Sequence, residues 1–157
     1  MKEKETNPVI TTNREAGRDY FILETLEAGI MLGGCEVKSL RDHKASLSGS
    51  FARADGGELF LYNLYIAPYE MGNRENPDPL RKRKLLLHRS QINKLAAKVQ
   101  EKGLALIPMK LYFNKEGIAK VELAVAKGKK HSDQRDDIKK RSAQREIDRA
   151  IKNRNRR

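Results

Sequence analysis

Four consecutive cations precede an apolar run near the middle of the chain. Residues 81–84 read Arg-Lys-Arg-Lys, and residues 85–87 are all leucine. Positive charges carried on a strand match the phosphates spaced along a nucleic-acid backbone. A solvated edge strand, whose charges prevent aggregation, is the alternative interpretation of this cluster alone. The nucleic-acid interpretation is favoured because further cations recur along the chain, namely Arg14, Arg18, Lys38, Arg41, Lys127, Lys129 and Lys130.

The usual signatures of catalysis are missing from the sequence. It contains no G-x-S-x-G, H-E-x-x-H, Walker or G-x-G-x-x-G motif. The three histidines are scattered, and Cys35 is the single cysteine. The adjacent Asp136 and Asp137 fit the charge preference of a helix N-terminus. We therefore expect no catalytic residue, no metal ion and no cofactor.

Composition indicates a polyanionic partner and a reducing compartment. The 157 residues include 33 Lys and Arg against 21 Asp and Glu, which leaves a net charge of +12. A single cysteine allows no disulfide within the chain. Residues 1–10 are charged where a secretory signal needs an apolar core, and the apolar runs are too short to cross a membrane. We expect one domain with a tail, located in the cytoplasm, and no membrane partner.

Most of the chain shows strand patterns. Strands are predicted at 20–23, 50–53, 58–62, 64–67, 106–113 and 118–126, with hairpin turns at 55–57 and 114–117. Ser90 is predicted to cap a helix that carries an apolar stripe over 92–99 and ends at Gly103. A shorter helix is predicted around 36–41. This content predicts a mainly β protein with flanking helices, folded as a small closed or half-closed antiparallel barrel.

The C-terminal segment differs in composition from the rest of the chain. Residues 127–157 carry 13 basic and 5 acidic groups, so most of the excess positive charge lies in this last fifth. Residues 131–157 offer too few apolar side chains to offset an ordering cost of about 1–2 kcal/mol per residue. The same residues have a latent helical pattern, with acidic groups first and cations last. We expect a tail that is disordered when free and folds as a helix on a partner.

Several segments, taken in order, closely resemble one known family. They are 13–14 (Asn-Arg), 20–22 (Tyr-Phe-Ile), 27–30 (Glu-Ala-Gly-Ile), 34–41 (Gly-Cys-Glu-Val-Lys-Ser-Leu-Arg), 61–63 (Leu-Tyr-Asn), 66–69 (Ile-Ala-Pro-Tyr), 78–87 (Asp-Pro-Leu-Arg-Lys-Arg-Lys-Leu-Leu-Leu) and 125–130 (Val-Ala-Lys-Gly-Lys-Lys). From Asn13 onward the chain resembles the SmpB family, the SsrA-binding proteins of bacterial trans-translation. The resemblance implies an OB-like antiparallel β-barrel with two to three helices. It divides the chain into a flexible N-terminus (1–12), an RNA-binding barrel (13–130) and a basic tail (131–157).

The resemblance also implies a function. Members of this family bind the tRNA-like domain of transfer-messenger RNA and take the place of its missing anticodon arm. They deliver this RNA to stalled ribosomes, and their tail is expected to fold as a helix in the empty mRNA channel near the decoding centre of the small subunit. The nascent chain is then tagged for degradation. The implied partners are transfer-messenger RNA, the bacterial ribosome and, indirectly through the same RNA, elongation factor Tu.

Site residues are carried over from the family position by position. Glu27, Leu86 and Lys120 are expected to face the RNA, with Leu86 packing on an unstacked base or ribose. The surrounding contacts are expected from Asn13, Arg14, Lys38, Arg41, Arg81, Arg83, Lys84, Lys127, Lys129 and Lys130. The ribosome-contacting tail positions are Gly128, Asp133, Arg135, Ile138, Lys139 and Arg141. Without the resemblance, Leu86 reads as a core residue and Glu27 as a surface carboxylate.

Two other functions remain open from the sequence. The same net charge and basic tail suit a structural ribosomal protein or a general RNA chaperone, which would not discriminate between RNA shapes. A metal-dependent nuclease would use carboxylates from the set Glu27, Glu36, Asp136 and Asp137. The tail also departs from the family pattern at Ser132, Gln134 and Ala143, which leaves base stacking at 132 and 143 undecided.

Overall fold

The structure is a computed structural model that describes residues 8–156, apart from the side chains of residues 73–75 and 131. Its strands are β1 (Val9–Thr12), β2 (Tyr20–Ile30), β3 (Ala45–Ser46), β4 (Phe51–Asp55), β5 (Glu58–Tyr62), β6 (Tyr65–Ile66), β7 (Arg83–Leu86), β8 (Ala105–Phe113) and β9 (Ala119–Gly128). Its helices are α1 (Ala16–Asp19), α2 (Gly34–Arg41), α3 (Arg89–Lys102) and α4 (His131–Asn155), with a 3-10 helix at Glu70–Glu75.

The last strand in the order of the main sheet pairs again with the second strand in that order. The main sheet runs β1-β8-β4-β5-β7-β2-β9, and β9 pairs again with β8. Every pairing is antiparallel, and the join between β4 and β8 consists of one residue pair, Ala52 with Leu106. Such an arrangement curves the sheet around a single core and leaves few free edges. The prediction of a mainly β, OB-like fold with flanking helices is confirmed.

Both predicted hairpins are present. Between β4 and β5, Gly56 and Gly57 have φ values of 60° and 80°. Residues that carry a Cβ adopt such left-handed backbone conformations only at an energetic cost, so glycine favours this turn. Between β8 and β9, the Asn114 side chain accepts hydrogen bonds from the backbone N–H groups of Glu116 and Ile118. Local turn chemistry therefore sets the register of these two strand pairs.

Helix α3 covers the barrel core with its apolar stripe. Ile92 and Leu95 are buried in the main core cluster, as the sequence predicts. The N-cap position is His88, not Ser90, and the Gln91 side chain accepts a hydrogen bond from the His88 N–H at 3.2 Å. Gly103 ends the helix at φ 60° in the left-handed conformation, as predicted. The helix therefore begins two residues earlier than expected, where the Gln91 side chain caps the His88 N–H.

Part of the predicted flexible N-terminus (1–12) forms a strand. Residues 1–7 lie outside the described residues, but Val9–Thr12 forms β1 and pairs with β8. Ile10 is buried in the core, and its burial together with the pairing to β8 helps to offset the cost of ordering this strand. The prediction of flexibility is therefore wrong for residues 9–12.

The tail is a continuous helix in the structure. Helix α4 contains 25 residues, and its apolar side chains Ile138, Ile147 and Ile151 are all exposed. This is the helix that the tail sequence predicts, while its disorder in the absence of a partner stays a prediction. No helix among residues 8–156 is both long enough and apolar enough to span a membrane.

Candidate nucleic-acid interface

One row of residues crosses three neighbouring strands of the barrel. Gly29 on β2 pairs with Leu86 on β7 at one side and with Lys120 on β9 at the other. Directly paired residues point to the same face of a sheet, and so do residues two apart on one strand. Glu27 and Lys84 therefore share this face with Leu86 and Lys120. All four side chains line one open cleft of about 780 Å³.

Glycine fits best at the centre of the row. A Cβ at Gly29 would lie 3.1 Å from the Cβ of Leu86, which is closer than ordinary packing allows. Without that Cβ, Leu86 packs against the backbone of β2 and keeps 48% of its surface exposed, whereas Leu85 beside it is fully buried. The interpretation of Leu86 as a core residue is thus wrong. Its exposed side chain offers an apolar contact to an unstacked base or a ribose.

Glu27 is held in place by a neighbouring phenol. The Tyr112 hydroxyl donates a hydrogen bond to the Glu27 carboxylate, and only 6% of Tyr112 is exposed. Burial and the carboxylate of Glu27 raise the pKa of Tyr112, so the phenol remains a donor. Lys110 lies over the Tyr112 ring at 5.5 Å and pairs with Glu122 at 3.1 Å. Tyr112 therefore orients Glu27 and offers no free ring face for a base.

The remaining walls of the cleft carry cations. Lys84 pairs with Glu58 at 2.9 Å, and both side chains are partly exposed. Arg89, the first residue of α3, also lines the cleft, near Gly57. Sequence reasoning missed Arg89, although its position directly after the strand of Lys84 and Leu86 was a usable signal. Together with Lys120, these groups can pair with phosphates along an RNA backbone.

Arg83 does not face solvent, which corrects its predicted role as an RNA contact. It is fully buried because strand alternation turns residues 83 and 85 inward where 84 and 86 point outward. Its Nε donates to Glu36 Oε2 at 2.6 Å, and its Nη atoms donate to backbone carbonyls, including that of Leu64. Burial lowers the pKa of Arg83, and Glu36 opposes this change. Arg83 is a structural residue that ties β7 to α2.

Glu36 is the shared acceptor of this buried cluster. Burial alone would raise the pKa of Glu36, but hydrogen bonds from Arg81, the Gly33 N–H and Arg83 outweigh burial and lower it. Arg81 keeps a third of its side chain exposed while it pairs with Glu36. Both arginines of the basic run at 81–84 are thus engaged with Glu36, whereas Lys82 is exposed and Lys84 pairs with Glu58 on the outer face.

Four predicted contacts lie away from the cleft. Lys38 and Arg41 are exposed on α2, where the Lys38 ammonium sits 5.4 Å from the centre of the Tyr69 ring. Asn13 donates a hydrogen bond to the Pro108 carbonyl at 3.0 Å and lines a separate cleft of about 430 Å³. Arg14 is exposed beside it. The structure therefore brings Glu27, Lys84, Leu86 and Lys120 together and leaves these four outside that group.

The junction between barrel and tail contains a second buried cation. Only 5% of the Lys129 side chain is exposed, and its ammonium donates to the Gly17 carbonyl at 3.1 Å and to Asp137. It also lies 4.9 Å from the centre of the Phe21 ring. Lys129, predicted to contact RNA, is thus engaged within the protein, whereas Lys127 and Lys130 are exposed. We call this set of contacts the tail clamp.

The predicted tail residues lie around the start of α4 and along its first three turns. Asp133 accepts a hydrogen bond from the Lys130 N–H at 3.2 Å and so caps the helix. Arg141 donates to the Gly17 carbonyl at 3.3 Å, next to the tail clamp. Gly128 ends β9 at a backbone conformation open to other residues, so the change of direction needs no left-handed glycine there. Arg135, Ile138 and Lys139 are exposed.

The carboxylates of the nuclease hypothesis are engaged separately. Glu27 accepts from Tyr112, Glu36 accepts from Arg81 and Arg83, and Asp137 accepts from Lys129. Among residues 8–156, no three His, Cys, Asp or Glu side chains lie close enough to hold a metal ion. This placement of the four carboxylates gives the nuclease hypothesis no support.

Comparison with known proteins decides the family. The pattern of a protein family described as "SmpB protein" matches residues 10–153, which is nearly the whole chain. The chain belongs to the SmpB family. This SmpB-family chain is 61% identical to an "SsrA-binding protein" of Pelotomaculum thermopropionicum over 93% of the chain and 95% of that relative. It is 58% identical to an "SsrA-binding protein" of Geobacillus kaustophilus over 93% of the chain and 94% of the relative.

A solved structure shows the same relationship. That structure is described as "tmRNA-SmpB: a journey to the center of the bacterial ribosome". The two chains share 54% sequence identity and superpose with a TM-score of 0.67, over 83% of this chain and 94% of the other. The two proteins are thus similar in both fold and sequence, so this chain has the fold of the SmpB family.

Proposed function

We propose that this chain is a non-enzymatic RNA-binding adaptor of trans-translation. It binds the tRNA-like domain of transfer-messenger RNA and delivers that RNA to stalled ribosomes. The single observation that carries the proposal is the row of Leu86, Gly29 and Lys120, with Glu27 on the same exposed face. The relatives named SsrA-binding proteins, and the solved structure described with tmRNA and the ribosome, support the partners.

Each group in the cleft has a distinct role in the proposed complex. Lys84, Lys120 and Arg89 pair with phosphates and fix the register of the RNA. Leu86 packs against an unstacked base or a ribose, and Glu27 accepts from base amino or imino groups. Contacts of this kind read the shape of an RNA with splayed nucleotides, and they suit a folded tRNA-like elbow better than a regular duplex.

The proposed role of the tail follows from its charge and exposure. With the barrel in place of the missing anticodon arm, α4 enters the empty mRNA channel as a helix near the decoding centre. Its exposed Arg135 and Lys139 pair with ribosomal RNA phosphates, and Ile138, which is 55% exposed, packs on the channel wall. Elongation factor Tu is met only through the shared RNA. Because the bacterial ribosome works in the cytoplasm, this function places the protein there.

Selective binding tests the proposal against a general RNA chaperone. Full-length protein and a variant that lacks residues 131–157 are titrated with the tRNA-like domain and with an RNA hairpin of equal length, over a range of salt. We expect both proteins to prefer the tRNA-like domain. Equal affinity for the two RNAs would favour the chaperone. A preference lost only on truncation would move recognition from the cleft to the tail.

A cleft variant locates the recognition surface. We expect Lys120→Ala to weaken binding and to reduce the slope of log affinity against log salt by about 0.7–0.9, the effect of one lost phosphate contact. The exposed Lys94 of α3 lies outside the cleft, so Lys94→Ala is the matched control and should leave the slope unchanged. Identical slopes for both variants would place Lys120 outside the interface.

A further inference from the structure

A second exposed surface on the barrel combines aromatic rings with cations. The outward face of β4 and β5 presents Phe51, Arg53, Phe60 and Tyr62, and Lys82 lies just before β7. We call these five residues the aromatic platform. Their neighbours Ala52, Leu59 and Leu61 point inward and are buried, as strand alternation requires.

Two rings of the platform stack on each other, and the third lies under a cation. Phe51 pairs with Tyr62 across the two strands, and their rings stack with centroids 5.3 Å apart at an interplanar angle of 13°. Phe51 keeps 38% of its surface exposed. In the next row, Arg53 pairs with Phe60, and the Lys82 ammonium lies 4.6 Å from the centre of the Phe60 ring. Partly exposed aromatic rings beside cations are the recurring components of surfaces that bind single-stranded nucleic acids.

The platform is continuous with the cleft that holds Glu27, Leu86 and Lys120. Phe60 pairs with Lys84, which is itself part of that cleft. On its other side, Phe51 and Arg53 border the second cleft, the one that Asn13 lines. An extended RNA strand leaving the first cleft past Lys84 would therefore meet Phe60, Arg53 and then the stacked pair. The acidic groups of this face, Asp55 and Glu58, lie at the Gly56–Gly57 turn, and Glu58 is paired with Lys84.

We propose that the aromatic platform is a second RNA-binding surface, on which unpaired bases next to the RNA in the cleft stack on Phe51 and Tyr62. Arg53 and Lys82 neutralise the phosphates of the same nucleotides. The proposal rests on the proposed function, because it extends the path of the RNA bound in the cleft. The platform would bind a short single-stranded RNA segment, a ligand that binding in the cleft alone does not require.

The test uses the full chain and an unstructured RNA of about twelve nucleotides, within the length that one barrel of this kind covers. We expect Phe51→Leu to weaken binding of this RNA about tenfold, because a ring face is lost while an apolar side chain remains. The salt slope should not change, since no charge is removed. Tyr65, an exposed aromatic residue on β6 outside the platform, supplies the matched control Tyr65→Leu, which should bind as the wild type does.

Two further variants separate stacking from misfolding. Phe51→Trp keeps a ring face and should bind at least as tightly as the wild type, even if the barrel is slightly less stable. Arg53→Gln should reduce the salt slope by about 0.7, the single-strand value for one phosphate. The proposal would be overturned if Phe51→Leu bound the unstructured RNA with wild-type affinity. It would also be overturned if Phe51→Leu and Tyr65→Leu lost equal affinity for that RNA.

The same titrations keep this proposal distinct from the proposed function. Preference of the wild type for the tRNA-like domain over a hairpin reports on the cleft alone. If that preference is present and Phe51→Leu binds the unstructured RNA normally, only the platform fails. If the wild type shows no such preference, the adaptor function fails, and the effect of Phe51→Leu then decides separately whether the platform binds single strands.

Discussion

Tyr112 illustrates how a residue outside an interface can control it. Its phenol donates a hydrogen bond to Glu27, and we expect Tyr112→Phe to leave the carboxylate free to move and to accept from water. Preference for the tRNA-like domain over a hairpin should then fall severalfold, while unfolding midpoints change little because the ring stays in place. Tyr65→Phe removes a phenol on β6 and is the control. If Tyr112→Phe binds both RNAs with wild-type affinity, the orientation of Glu27 by Tyr112 does not contribute to recognition of a base.

The buried Glu36 cluster predicts an acid-sensitive fold. The pKa of Glu36 is lowered below its usual value of 4.5 in the folded protein. A depressed folded-state pKa contributes stability above the unfolded pKa, and that stability is lost as pH falls toward the folded pKa. Urea unfolding of the wild type should therefore show stability decreasing below about pH 4.5.

A substitution isolates the contribution of Glu36 from other carboxylates. Glu36→Gln leaves Arg83 buried without its counter-charge, which costs about 3–5 kcal/mol for a pair of this kind. At neutral pH we expect Glu36→Gln to be less stable than the wild type by roughly this amount. The difference should narrow in acid, where the wild-type carboxylate is also neutral. A constant difference from neutral to acid pH would contradict the assigned role of Glu36.

At the scale of elements, the tail clamp determines how α4 leaves the barrel. Lys129 is anchored by the Gly17 carbonyl and Asp137, so the first two turns of α4 are tied to α1 and β2. Its ammonium, through a hydrogen bond, lowers the pKa of Asp137. We expect Asp137→Asn to speed hydrogen exchange in these turns of α4. The adjacent Asp136 is exposed, and Asp136→Asn is the matched control. Equal hydrogen-exchange rates in the two variants would contradict the proposed role of the tail clamp in holding α4.

At the scale of the whole molecule, we expect the tail to contribute little to the free energy of unfolding of the barrel. Among residues 8–156, the buried core contains no residue of α4. Deleting 131–157 should therefore shift the thermal unfolding midpoint of the barrel by only a few degrees. Calorimetry of the two proteins checks this expectation. A large loss of unfolding enthalpy on truncation would mean that α4 contributes to the cooperative unit.

The strands and turns that the sequence predicts are those with strong local signals. Glycines at the 55–57 turn and alternating residues along β9 specify local backbone geometry and a buried face, and these elements are present. Elements with weaker local sequence signals were not predicted, or were predicted with the wrong structure. Strand β1 was expected to be flexible because only its pairing with β8 and the burial of Ile10 stabilise it.

The sequence alone determined the mainly β class, the cationic character of the surface and, through family resemblance, the identities of Glu27, Leu86 and Lys120. Only the tertiary structure decided which cations are free. Strand alternation buries Arg83 against Glu36, and contacts with Gly17, Phe21 and Asp137 enclose the Lys129 side chain. Both residues look like RNA contacts in the sequence, because charge is a property of a residue type. Exposure depends on neighbours that are distant in the chain, and a linear pattern carries no information on which of them will be adjacent.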